Sequence, residues 1–294
     1  MRLLRFLGRE LLLHGIVFAV AGTVALVCLY LLAIGAPLDG FVKTGQSFLL
    51  LLSGSKDFSI SHPGFSAGRI IGGAAAVTLP LALTSLVILT LIALVGGAWT
   101  TAARHLSRSH AQRGSSAIGR LSGLAFSVLA AVPLFVGFWV IANHFGGEAP
   151  FLLIALATVS VGGLGWDAAR FLIDDMARQV QTTHAEVFTT LGPPLSRLFP
   201  LPGTFSGYLF SSSLPRFIPY LAGKVPAVIG AVTIAEIVFS FPGLGSTLLD
   251  ALLANNTDLL VASVFILLCV NAIVAFLVKS FLFLLYPRWY EKAL

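Results

Sequence analysis

Five charged side chains stand inside otherwise apolar runs: Asp167 and Arg170, Lys224, Glu236 and Lys279. A charge at the centre of a bilayer costs about 2.5–3.5 kcal/mol on insertion scales, so each needs a partner or a task. Asp167 and Arg170 are three residues apart, hence on one helical face, and are expected to neutralise each other. Lys224, one to two turns into the fifth span, is expected to snorkel to the inner surface, and Lys279 to do the same at the end of the sixth. Glu236 is one turn from the end of its run, placed either to cap the turn at Phe241–Gly245 or to line a polar pathway. These charges do not form the chain of carboxylates or histidines that a proton relay requires. Catalytic signatures are missing as well: no phosphate-binding G-x-x-x-x-G-K-[ST] loop, no H-E-x-x-H and no C-x-x-C. His14, His62, His105, His110, His144 and His184 show no metal-ligand spacing, so no metal site is expected. Cys28 and Cys269 sit in apolar runs and read as packing residues.

The elements that carry these residues follow from composition. The 294 residues are 57% hydrophobic and 10% charged, whereas a soluble domain has roughly 45–50% and about 25%. A soluble core stops growing near ~250–300 residues, so the surplus must face lipid. A span needs about 20 apolar residues. Six runs qualify, near Leu11–Ile34, Ile70–Trp99, Leu121–Asn143, Phe151–Ile173, Ile218–Ser240 and Leu259–Tyr286. The first is too long for the 7–15-residue core of a typical signal peptide and reads as a retained span. The expected fold is all-α and polytopic.

Arg and Lys orient it. Arg2, Arg5 and Arg9 precede the first run, Arg104, Arg108, Arg113 and Arg120 follow the second, Arg178, Arg197 and Arg216 follow the fourth, and Arg288 and Lys292 follow the sixth. The positive-inside rule then places both termini in the cytoplasm. The net charge of +6 reports topology rather than nucleic-acid binding. An outer loop at 35–69 and inner segments at 100–120 and 174–217 are too small for a soluble catalytic domain. Gly72 and Gly73, Gly96 and Gly97, and Gly162, Gly163 and Gly165 within the spans read as close-packing positions, those of the fourth span also as a break beside a cavity. In the long inner segment Met176, Val180, Val187 and Leu191 recur on one face of a predicted helix over Asp174–Leu191. Asp174 and Asp175 suit its start, and Gly192-Pro193-Pro194 its end.

The run Glu236–Gly245, EIVFSFPGLG, closely resembles a segment of the inner-membrane permeases of binding-protein-dependent ABC importers, in the branch serving dipeptides, oligopeptides and nickel. The pattern E-x-x-F-S-x-P-G-L-G is carried by Glu236, Phe239, Ser240, Pro242, Gly243, Leu244 and Gly245. Pro242-Gly243 breaks a helix, and a short one can start at Ser246 or Thr247 and run to about Ala254. Gly54–Ser59 and Gly68–Thr84 upstream, then Asp258, Asn271 and Pro287-Arg288 downstream, fall in the family's order. The family's ATPase-docking loop has the form E-A-A-x-x-x-G. Glu186 and Gly192 keep its spacing, Val187 and Phe188 replace the alanines, and an insertion follows around Pro200–Phe205 before Leu214-Pro215.

The resemblance implies a type I importer bundle of six helices in a bacterial inner membrane, divided as 1–69 (first helix and outer loop), 70–288 (permease domain with its inner coupling segment 174–217) and 289–294 (tail). It implies a translocation pathway for a small polar solute such as a peptide or nickel. The implied partners are ABC ATPase subunits, a second permease subunit (identical or different), an extracytoplasmic substrate-binding protein and the lipid bilayer. The chain itself is expected to be no enzyme and to hold no cofactor; ATP and magnesium belong to the partner ATPase. The altered docking loop motivates an alternative, a diverged permease-like scaffold or regulatory subunit without ATPase coupling. An ion-coupled secondary transporter would call for inverted repeats and midplane charges, which the sequence lacks.

Overall fold

A computed structural model describes residues 2–32, 67–106, 131–145, 149–190, 205–254 and 256–285, with Val42, Gln46 and Val128. Among these residues every regular element is helical: α1 Arg2–Leu32, α2 Ala67–Leu106, α3 Leu134–Phe145, α4 Phe151–Ser160, α5 Leu164–Val180, α6 Thr183–Thr190, α7 Phe205–Val238, α8 Leu244–Leu253 and α9 Thr257–Leu285. In α1, α2, α7 and α9 the apolar stretches are long enough to cross a bilayer. The pair α4 and α5, bent by 54°, makes a fifth candidate span. The chain is therefore an all-α polytopic membrane protein. Of the third expected span only its C-terminal part, α3, lies within the described residues. Most of loops 35–69 and 100–120, and Gly192, Pro193, Pro194, Pro287 and Arg288, lie outside them.

Exposed apolar side chains accompany these helices: Leu11, Leu12, Ile16, Val17, Val20 and Val24 on α1, and Leu79, Leu83, Val87, Leu91 and Val95 on α2. Such continuous apolar surface needs a lipid solvent. Helix α7 runs unbroken over 34 residues despite Pro215, Pro219 and Pro226. Membrane helices tolerate proline because neighbouring groups re-satisfy the freed carbonyls. The fifth span thus starts well before Ile218, and Leu214-Pro215 lies inside it rather than in an inner loop.

The break in the fourth span is built by Gly162 and Gly163, with φ of 78° and 83°. Only residues without a Cβ adopt two successive left-handed conformations cheaply. Other glycines pack closely. A Cβ on Gly97 would lie 2.7 Å from Leu172 Cδ2, and one on Gly137 2.6 Å from Val161 Cγ1. Gly72 and Gly73 differ from expectation, since both face open space.

By internal packing the chain forms two compact units, one of Met1–Ala82 with Ile229–Phe281 and one built mainly from Leu83–Val228. In the first, α1 is tied to α9: Lys279 Nζ donates to Glu10 Oε2 at 2.9 Å, and His14 lies 3.6 Å from the same oxygen. Lys279 therefore has a buried carboxylate as partner, where a snorkelling side chain was expected.

Candidate functional site

Two features gather the sequence-predicted residues. The first is the turn from α7 into α8. Helix α7 ends in a left-handed cap: Ser240 has φ of 56°, Ser240 N–H donates to Ile237 O at 3.4 Å and Phe241 N–H to Glu236 O at 2.9 Å. This pair of bonds is a Schellman motif, with serine where glycine is usual. Gly243 N–H then donates to Phe241 O at 2.8 Å, closing a tight turn over Pro242.

Helix α8 starts at Leu244, two residues earlier than the Ser246 start expected. Gly243 is its N-cap, with extended backbone and no side chain to cap with. Two of the first N–H groups, orphaned at any helix start, find remote partners. Leu244 N–H donates to Thr78 Oγ1 at 2.8 Å, and Gly245 N–H to Glu236 Oε2 at 2.7 Å. Glu236 is wholly buried, and its carboxylate sits where the helix dipole favours negative charge. Of the two roles open to Glu236, the geometry supports the cap.

Leu244 is also fully buried, packed with Ile71, Ala74 and Ala262 in a cluster that Leu259, Ile266 and Leu267 extend. Phe239 is buried beside the turn. A Cβ on Gly243 would overlap the Glu236 carboxyl group, and one on Gly245 would lie 2.5 Å from Thr233 O. The motif thus works as joinery for α2, α7, α8 and α9. Ser240→Gly is expected to stabilise the chain by about 0.5–1 kcal/mol, since only glycine takes a left-handed φ without penalty. A higher melting temperature of the purified chain in detergent checks this.

The second feature lies in the other unit, where α5 and α7 run side by side with a three-rung ladder. Asp167 meets Lys224 at 3.4 Å, Phe171 stacks on Tyr220 with ring centroids 4.0 Å apart, and Asp175 meets Arg216 at 3.1 Å. Each step is four residues forward on α5 and four back on α7, the spacing of one helical face. Lys224 Nζ also lies 5.2 Å from the Tyr220 ring centroid, in cation–π range.

The ladder corrects two expectations. Asp167 pairs with Lys224 rather than with Arg170. Asp174 and Asp175 do not begin a helix, because α5 runs on through them to Val180; Asp175 is instead a buried rung. The predicted helix over Asp174–Leu191 is split at Gln181–Thr182, where Thr182 Oγ1 donates back to Gln179 O at 2.7 Å. The new helix α6 carries Glu186, Val187 and Phe188, with Val187 exposed while Met176 is buried. The shared apolar face is therefore lost. No sequence signal marks the ladder, whose partners are 41 to 57 residues apart. Among the described residues no three His, Cys, Asp or Glu side chains cluster as a metal site would require.

The long apolar helices and the Glu236–Gly245 turn between two of them mark a polytopic membrane protein. The model of one family, the inner membrane component of binding-protein-dependent transport systems, matches residues 106–290. That is well over half of the chain, and the chain belongs to this family. It is also similar to the oligopeptide transport system permease protein AmiC from two strains of Streptococcus pneumoniae, each 30% identical over 81 residues. The similarity covers 28% of this chain and only 16% of those relatives.

Proposed function

We propose that this chain is the permease subunit of an ATP-driven importer, forming with a second permease subunit the pathway for a small polar solute, with peptides the leading class. Family membership over 106–290 carries the reading; the likeness to an oligopeptide permease supports the peptide class. Both termini face the cytoplasm. ATP and magnesium are handled by two partner ATPases, and an extracytoplasmic binding protein delivers the solute to the face that bears α8.

In this scheme α6 is the lever. It is short, separated from α5 by a two-residue break, and carries the exposed Val187 outward. An ATPase that closes on ATP moves α6 and shifts the bundle between inward- and outward-facing states. Driving such a switch from 1:99 to 99:1 takes about 5.5 kcal/mol of differential binding, well within what two nucleotides supply.

The test is affinity capture of the tagged chain from its native membrane in mild detergent, with mass spectrometry. Stoichiometric recovery of an ATPase with nucleotide-binding motifs and a second six-span protein is expected. Recovery with an unrelated membrane complex and no ATPase would instead favour the scaffold reading. Within the importer reading, Glu186→Lys and Gly192→Trp are expected to leave the complex assembled while uncoupling its ATP hydrolysis from uptake; coupling at the wild-type level would remove α6 as the lever.

A further inference from the structure

The two ionic rungs of the α5–α7 ladder are not alike. Asp175 is 5% exposed and held at 3.1 Å by Arg216, a closed structural pair. Asp167 is 56% exposed, and its contact with Lys224, at 3.4 Å, is the longer of the two; both exceed the roughly 2.7–2.9 Å of a tight charge-assisted bond, so exposure is what separates the rungs. The Lys224 ammonium is shared between that carboxylate and the Tyr220 ring.

The open rung also lies on a charged stripe. Asp167, Arg170, Asp174 and Arg178 are all exposed along one face of α5, at the i, i+3, i+7 and i+11 positions of a helix. On α7 the exposed neighbours of Lys224 are Gly223, Pro226 and Ala227, and a Cβ on Gly223 would meet nothing within 4 Å. A carboxylate and a guanidinium of this exposure do not face lipid, since charged side chains in spans turn to the bundle interior or to water. Lys224 stands near the middle of the apolar stretch Gly207–Val238, so water must reach that depth.

We infer that Asp167, Arg170 and Lys224 form a water-lined ionic subsite within the pathway, which binds solutes carrying both an ammonium and a carboxylate. The ammonium goes to Asp167 and the carboxylate to Lys224 and Arg170. The loosely held rung opens to admit the solute, while the Asp175–Arg216 rung keeps the helices in register. The choice of ligand rests on the peptide reading above; the aqueous exposure of the face does not.

Two experiments test it in the intact complex. In a background with Cys28 and Cys269 changed to serine, Asp167→Cys in inside-out vesicles is expected to react with a charged, membrane-impermeant thiol reagent much faster than Val87→Cys, an exposed apolar position of α2. Reaction no faster than at Val87→Cys would overturn the subsite. The second compares uptake of trialanine with that of N-acetyl-trialanine amide in host cells that depend on this chain. Asp167→Asn is expected to raise the half-saturating concentration for trialanine about tenfold, the order of one charged hydrogen bond, and to leave the blocked peptide's unchanged. An equal effect on both peptides would overturn the subsite while leaving the peptide reading intact. Failure of the unaltered chain to support trialanine uptake would overturn the peptide reading and, with it, the ligand assigned here.

Discussion

Gly245→Val is expected to strip the protein from the membrane, and Gly245→Ala to lower its level sharply. A Cβ at this position would lie 2.5 Å from Thr233 O and 2.7 Å from Thr233 Cα. Both atoms belong to the backbone of α7 and cannot swing aside as a flexible side chain would. The start of α8 would have to lift away. That movement lengthens the bond from Gly245 N–H to Glu236 and the neighbouring one from Leu244 N–H to Thr78, and it withdraws Leu244 from its apolar cluster. Overpacking costs about 1–3 kcal/mol, and each buried polar group left unmet costs about 1–3 kcal/mol more. Together these approach the whole stability of an ordinary domain, about 5–15 kcal/mol. Gly230→Ala is the control: it lies in α7, its added Cβ would meet nothing within 4 Å, and alanine favours a helix by about 1 kcal/mol over glycine. The measurement is the amount of each variant in the membrane fraction, with its melting temperature in detergent. If Gly245→Ala accumulates and melts like Gly230→Ala, the close approach of α8 to α7 is wrong.

This turn was the most legible part of the molecule, and the reason is its locality. From Glu236 to Gly245 the helix end, the proline turn and the next helix start are all encoded within ten residues, so composition and spacing suffice. The sequence still left Glu236 with two roles. The decision rests on the bond from Gly245 N–H to Glu236 Oε2, which only the folded turn shows; its companion, Thr78, meets Leu244 from 166 residues away and carries no motif. The bend of the fourth span was half legible. Its glycines stood out, but packing and breaking use the same residue type, and only the positive φ values of Gly162 and Gly163 separate them. The ladder was not legible at all. A rule for neighbours on one helix joined Asp167 to Arg170, whereas the fold supplied Lys224 from another helix. The capping rule failed at Asp174 and Asp175 for a related reason: acidic residues favour helix starts, yet a carboxylate met by an arginine on the next helix is as well served mid-helix.

The same ladder gives the second large effect, Arg216→Ala. The Asp175 carboxylate is 5% exposed, and its Oδ2 has no hydrogen-bond partner among the described residues. Arg216, through Oδ1, is the charge that compensates it. Removing one member of a buried pair costs about 3–5 kcal/mol, because the remaining charge is left in a medium that cannot solvate it. Arg216 is itself half exposed, and solvent screening places the expected loss at the lower end of that range. Lys224→Ala offers the contrast. Asp167 is 56% exposed, and pairs open to water are worth about 0–1 kcal/mol. The purified Arg216→Ala chain should therefore melt well below wild type, and Lys224→Ala close to it. The double variant Asp175→Leu/Arg216→Leu should recover most of the loss, since an apolar pair of similar volume often matches a buried ion pair. That recovery, read as a double-mutant cycle with Asp175→Leu and Arg216→Leu as the single variants, distinguishes an uncompensated charge from lost packing of the arginine stem. Equal melting of the two single variants would mean that both rungs are equally open to water, and the division of the ladder into a structural and a solute-binding rung would fall.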